Sequence, residues 1–199
     1  MWAACEGGHL PVVCFLAEAD PRFIDNSSTF SSVSTFFIAC KRGHLIPVAQ
    51  FLASKEPELF THTRNDKASP LWVACEQGHL DVVRYLVEIR PSLLDMNAVH
   101  NRSPLHIACH YGHHDVAAFL LHTRPSLVDT LDDDGTSPLW LAAYSGHLDV
   151  VRLIVAARPS QVAVQRHRDT IPVEVATLRG HTDVVDYLVS VVLDASDEY

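Results

Sequence analysis

The chain has 199 residues, of which 48% are hydrophobic and 20% charged, and its formal net charge is -9. This balance fits a soluble folded protein and argues against a nucleic-acid groove, which needs concentrated Lys and Arg. Apolar runs stay well short of the roughly 18 residues that a membrane span requires, and the N-terminus lacks the features of a secretory signal. We therefore expect an intracellular, cytoplasmic protein that binds neither nucleic acid nor membranes.

The pair Gly-His recurs six times along the chain, at intervals of 34 or 35 residues. The glycines of these pairs are Gly8, Gly43, Gly78, Gly112, Gly146 and Gly180. A self-similarity of this period indicates stacked repeats, because a unit of about 34 residues is too small to bury a core alone. We place the units at residues 1–30, 31–65, 66–99, 100–133, 134–167 and 168–193, followed by an acidic tail at 194–199.

The predicted elements repeat one plan in chain order. Met1 falls inside the first helix of the first unit, and the second unit has no proline at its first-helix start near Ser34. In the third unit Ser69 is expected to cap a first helix, Gly78 to end it and Pro91 to end the second. In the last unit the second helix keeps an apolar outer side. That apolar end leaves two alternatives open, further repeats of a longer array or self-association.

Three units carry a second shared motif, Ser-Pro-Leu-Trp/His-x-Ala, at residues 69–74, 103–108 and 137–142. With Gly-His four residues beyond the Ala, this pattern resembles the ankyrin repeat. The resemblance implies an all-α ankyrin-repeat solenoid of stacked helix-turn-helix units with short β-hairpin-like loops. It also implies that the His of each Gly-His pair braces neighbouring units by hydrogen bonding. The recurring Pro after the second helix departs from the family's usual Gly-Ala-Asp.

Several residues of types that could bind a metal or form disulfides are assigned instead to the repeat frame, by which we mean the residues that recur at fixed positions and hold the repeats together. The cysteines at one repeat position are expected to be small buried fillers, neither disulfide-bonded nor zinc-binding. These are Cys5, Cys40, Cys75 and Cys109. Trp72 and Trp140 replace the His of the family signature and are expected to lose its hydrogen bonds. The acidic loop that contains Asp132 is expected to be solvated surface.

Metal binding and catalysis are the less favoured alternatives. His106 and His110 lie one helical turn apart and could present two nitrogens to a metal, but His106 already belongs to the frame. We find no Walker loop, no dinucleotide-binding glycine pattern and no nucleophile elbow in the sequence. We therefore expect no enzyme activity, no metal and no cofactor.

The side chains left unexplained by the frame lie at hairpin tips and at the ends of first helices, where the resemblance implies a partner-binding groove. The predicted partner-binding residues are Lys67, Glu76, Gln77, Asn101, Arg102, His110, Tyr111, Thr136, Tyr144, Ser145 and Arg179. Tyrosines and arginines commonly anchor protein interfaces, although surface tyrosines scattered by chance are an equal alternative. The favoured function is a protein-protein interaction scaffold. The alternative is a regulatory or targeting module of a larger enzyme, channel or ubiquitin-ligase adaptor.

Overall fold

The computed structural model describes residues 1–20, 22, 24, 34–43, 46–163 and 170–196, and these residues form α-helices without a β-strand. The first helices of the repeats are α1 Trp2–Glu6, α3 Thr35–Arg42, α5 Pro70–Gln77, α7 Pro104–Tyr111, α9 Pro138–Ser145 and α11 Pro172–Arg179. The second helices are α2 Leu10–Ala19, α4 Ile46–Lys55, α6 Leu80–Ile89, α8 His114–Thr123, α10 Leu148–Ala157 and α12 Thr182–Ser196. This arrangement confirms the predicted all-α repeat fold.

Two predicted boundaries, those at residues 30 and 167, lie outside the described residues. The predicted start of the acidic tail falls inside α12, which continues to Ser196. Residues 197–199 lie beyond the described range. The last helix is therefore longer than the ten residues of α10, its counterpart in the preceding repeat.

α5 and α9 begin and end where their sequences predict. Ser69 and Ser137 each accept a hydrogen bond on the side-chain oxygen from the backbone N–H three residues later, at 3.1 Å. Proline follows the cap, where its missing N–H would have had no helical partner. Gly78 ends α5 with φ 76°, a left-handed conformation that a residue with a side chain adopts only at a cost. Capping and glycine termination therefore hold these helices to eight residues.

Short 3₁₀ helices follow α4, α6, α8 and α10, and the sequence pattern does not predict them. They span Pro57–Thr61, Pro91–Asp95, Pro125–Asp129 and Pro159–Ala163. α6 ends at Ile89, and Pro91 then begins a new turn that buries Leu93 and Leu94. The proline that departs from the family pattern thus both ends a helix and starts a segment that contributes to the core.

The chain divides into two compact units, Met1–Val99 and His100–Tyr199. In the first unit α3 packs between α1 and α5, and α4 between α2 and α6. In the second unit α9 packs between α7 and α11, and α10 between α8 and α12. Leucines such as Leu71, Leu105 and Leu139 are fully buried within these layers. The core of each unit is thus built between successive repeats as well as within them.

The Gly-His pairs explain the period of the sequence. In each brace the histidine donates from Nε2 to a backbone carbonyl of the preceding repeat: His79 to Lys41 at 2.9 Å, His147 to His110 at 3.1 Å and His181 to Tyr144 at 3.0 Å. The same imidazole covers the glycine of the preceding pair, so that a Cβ built on Gly146 would lie 2.5 Å from His181 Nδ1. For these pairs the structure confirms the predicted bracing role of histidine.

Candidate partner-binding surface

The predicted residues of the first unit lie at one hairpin tip and at the end of α5. Lys67 is exposed with φ 62°, Gln77 is exposed and Glu76 is half-buried. Beside them Arg64 pairs with Asp66, donating from Nε to Oδ1 at 2.9 Å, which lowers the pKa of that carboxyl. Arg42 at the end of α3 pairs likewise with Glu6 of α1. The charges of Arg42 and Arg64 are therefore neutralised inside the unit.

In the second unit Tyr111 is the most exposed of the predicted aromatic residues. Its side chain is 48% exposed at the end of α7. The His110 ring meets the Tyr111 ring edge-on with centroids 4.9 Å apart, and the His113 ring lies nearly parallel to it at 6.3 Å. These imidazoles restrict the rotamers of Tyr111 while leaving about half of its surface to solvent.

His110 itself is tied to the next repeat. Its Nδ1 lies 3.1 Å from the Ser145 hydroxyl oxygen, and its backbone carbonyl accepts from His147. Burial, followed by the charges of Arg102 and His147, lowers the pKa of His110. The neutral form is favoured, and it can exchange a hydrogen bond with Ser145. Ser145 and His110 thus form an inter-repeat contact at the edge of the surface.

Tyr144 occupies the corresponding position one repeat later and is packed differently. Its ring lies parallel to that of Trp140, with centroids 5.3 Å apart and an interplanar angle of 14°. The guanidinium carbon of Arg179 lies 4.4 Å from the centroid of the Tyr144 ring. Leu178, next to Arg179, is 78% exposed. α9 and α11 therefore present an ordered aromatic and cationic pair with an apolar neighbour.

Asp132 is buried, which corrects its expected assignment to solvated surface. Its Oδ1 accepts hydrogen bonds from the backbone N–H of Asp134 at 3.0 Å and of Thr136 at 2.8 Å. Its Oδ2 accepts from Arg102 Nε at 3.2 Å. The carboxylate therefore shapes the hairpin from inside and orients Arg102, which remains partly exposed.

Thr136 does not reach the surface that the sequence analysis assigned to it. It is 2% exposed, and its backbone carbonyl accepts from His106 Nε2 at 3.0 Å. It lies at the closing end of the hairpin, where its backbone pairs with Asp132. Asn101 holds the position that Gly135 holds one repeat later, and it is exposed with φ 57°. Of the two predicted contacts, Asn101 alone faces solvent.

His106 is a buried member of the frame. Its Nδ1 lies 2.7 Å from the Ser103 hydroxyl and accepts from the Ser103 backbone N–H at 3.3 Å, while Nε2 donates to Thr136. Burial lowers the pKa of His106 to about 4. Both ring nitrogens of this histidine are therefore engaged by protein groups. Within the described residues no cluster of three or more His, Cys, Asp or Glu side chains is placed to hold a metal ion.

The tryptophans at the His106 position behave in two ways. Trp140 Nε1 donates to the Thr170 hydroxyl at 3.1 Å, so the expected loss of hydrogen bonding is wrong for this residue. Trp72 Nε1 is buried without a hydrogen-bond partner in the described part of the chain. The four cysteines that share a repeat position are buried as expected. Burial raises the pKa of the Cys40, Cys75 and Cys109 thiols, which keeps them protonated and unreactive.

Comparisons with known proteins agree with this architecture. The family model described as ankyrin repeats, three copies, matches residues 1–97, 91–166 and 124–198. The comparison with curated proteins gives no match. No helix in the described ranges has both the length and the apolar character that crossing a membrane demands. The family matches span nearly the whole sequence, and the chain belongs to the ankyrin-repeat family.

Proposed function

We propose that this chain is a non-catalytic scaffold that binds a protein partner through the ends of its first helices and its hairpin tips. Ankyrin repeats are generally protein-interaction modules and are typically non-enzymatic. The observation that carries the proposal for this chain is Tyr111, whose exposed ring is held by two imidazoles. An aromatic side chain fixed in this way loses little conformational freedom when a partner covers it.

The predicted residues divide into contacts and supports. The proposed contacts in the first unit are Lys67, Glu76 and Gln77. Those in the second unit are Asn101, Arg102, Tyr111, Tyr144 and Arg179, while His110 and Ser145 hold Tyr111 and the helix ends in place. Thr136 is excluded from this surface because it is buried. Interface energy is usually concentrated in a few Tyr, Trp and Arg side chains, so we assign the largest contribution to Tyr111.

The test is quantitative capture of binding partners from the source cell with immobilised wild type and with Tyr111→Ala. We expect the variant to recover its main partner with at least about tenfold lower affinity, because an aromatic anchor commonly contributes about 2 kcal/mol. The matched control is His122→Ala, an exposed residue on the second helix of the same repeat. Both variants should unfold at the wild-type temperature. Equal recovery of every partner by the wild type and Tyr111→Ala would refute the assignment.

A further inference from the structure

We propose that one part of this surface binds an acidic peptide segment in which a residue with a carboxylate lies next to a residue with an apolar side chain. We name this part the Arg179 surface, and it consists of Tyr144, Leu178 and Arg179. The carboxylate pairs with the guanidinium of Arg179, and the apolar side chain covers Leu178. This inference rests on the proposed function, since it names the chemistry of the partner at one part of the same surface.

The Arg179 surface carries a cation that has no carboxylate partner among the residues that the structure describes. Arg42 pairs with Glu6, Arg64 with Asp66, and Arg158 with Asp129 at 2.8 Å. Arg179 is exposed, and among the described residues no carboxylate pairs with it. On its own helix the other charged residue is Glu174, whose Oε2 accepts from the backbone N–H of Ile171 at the opposite end. A full positive charge therefore remains available at the end of α11.

Arg179 is already oriented for a planar anion. Its guanidinium lies over the Tyr144 ring at 4.4 Å, and Trp140 supports that ring from a parallel position. A guanidinium that stacks on an aromatic ring keeps its N–H edges directed outward, where they can donate two parallel hydrogen bonds to one carboxylate. The side-chain entropy lost on binding is correspondingly small.

The charges of the residues near the Arg179 surface favour a peptide carboxylate at the end of α11. The residues at the ends of α7, α9 and α11 are His110, Tyr111, Tyr144, Ser145, Leu178 and Arg179, and none of them is acidic. The buried Asp132 is used by Arg102 and by two backbone N–H groups. Asp133 and Asp134 are exposed at the hairpin tip before α9 and would repel an acidic segment there. The peptide carboxylate is thus assigned to the C-terminal end of α11 and not to the hairpin tip.

The exposed side chain of Leu178 is the reason that an apolar group accompanies the carboxylate. In the preceding repeats the residue at the Leu178 position contacts the following repeat: His110 contacts Ser145, and Tyr144 contacts Arg179. Leu178 instead projects into solvent with 78% of its surface exposed, directly beside the cation. An apolar side chain next to the peptide carboxylate would bury this leucine and shield the new ion pair from water, which strengthens it.

The test is selection of random twelve-residue peptides displayed on phage against the immobilised full chain, followed by affinity measurement of synthetic copies. We expect the selected peptides to be enriched in Asp or Glu adjacent to Leu, Ile, Val or Phe. Arg179→Gln should weaken these peptides by about tenfold or more. The matched control is Arg152→Gln, because Arg152 also lies over a tyrosine, Tyr187, at 5.2 Å, but on a second helix. This control should leave affinity unchanged.

A second variant separates the ion pair from a general loss of structure. Replacing the peptide Asp or Glu by its amide should weaken binding to the wild type and have no further effect on Arg179→Gln. Selected peptides that depend on Tyr111 but lack acidic residues, or that carry Lys and Arg instead, would overturn the acidic-peptide proposal and leave the interaction function standing. Selected peptides insensitive to both Tyr111→Ala and Arg179→Gln would overturn both.

Discussion

The buried imidazole of His106 makes the stability of the fold depend on pH in a defined window. Burial holds its pKa near 4 in the folded chain, whereas an unfolded histidine has a pKa of about 6.5. Between these values the unfolded chain binds more protons than the folded one, so stability is full above about pH 6.5 and falls as the pH drops toward 4. At about 1.4 kcal/mol for each pKa unit, His106 accounts for a loss of about 3 kcal/mol across the window.

The repeat itself supplies a non-titrating replacement for this residue. Trp72 and Trp140 occupy the His106 position in the neighbouring repeats, so His106→Trp introduces a side chain that the frame already accommodates. The assay is urea-induced unfolding of the wild type and variant at about pH 7 and about pH 5. Between these conditions the wild type should lose about 2 kcal/mol more than His106→Trp, because about 1.5 pH units of the window are crossed.

The reciprocal variant tests the same reasoning in the opposite direction. Trp140→His places an imidazole between Ser137 and Thr170, which correspond to Ser103 and Thr136 around His106. This variant should acquire additional acid sensitivity of similar size. Identical pH dependence in the wild type and His106→Trp, measured with the same urea series, would show that His106 is not held neutral by burial and would refute the argument.

Two further predictions concern glycine positions of the repeat. Gly146→Ala should destabilise the fold by about 2–3 kcal/mol, because the new Cβ meets the His181 ring and the alanine must adopt a positive φ. Gly180→Ala also requires a positive φ, but its Cβ would have no atom within 4 Å, so this variant should lose only about 1 kcal/mol of stability. Equal losses in urea unfolding would contradict the packing role of the imidazole. Lys67→Gly should stabilise the fold by about 0.5–1 kcal/mol, because it removes the backbone strain of a lysine in the left-handed conformation and adds only a small entropic cost of folding. Its melting temperature should rise, and Asn101→Gly should gain less because Asn tolerates this conformation.

The fold is predictable because most of the recurring residues determine the backbone conformation at their own position. Ser and Pro specify where a first helix begins, and Gly specifies where it ends, whatever the neighbouring repeat contains. The Gly-His pair adds a requirement that reaches one repeat further, since the His ring needs the bare glycine of the preceding pair. A pattern with these local causes can be read without knowledge of the tertiary contacts, and the helix order followed from it.

The parts that could not be predicted depend on residues about 30 positions away. Asp132 has the same sequence surroundings as an exposed loop carboxylate, yet it is buried because Arg102 of the preceding repeat meets it. Thr136 is buried through the His106 contact from that same repeat. The 3₁₀ turns such as Pro91–Asp95 and Pro125–Asp129 are not predictable for a different reason, because a proline indicates where a helix stops and does not specify the turn that follows. Rules that consider only residues close together in the sequence do not predict contacts such as these between repeats.

The same contacts between repeats decide which substitutions can report on partner binding. Tyr144 is exposed enough to meet a partner, but its ring also supports Arg179 and its carbonyl accepts from His181. A loss of partner binding in Tyr144→Ala would therefore have two causes that cannot be separated, the removal of the Tyr144 contact with the partner and the displacement of Arg179 and other neighbouring side chains. The rings of His110 and His113 hold Tyr111, and its side chain makes no hydrogen bond within the described part of the chain, so its truncation leaves the inter-repeat hydrogen bonds of those residues in place. Tyr111 is for this reason the residue at which interaction and stability can be separated.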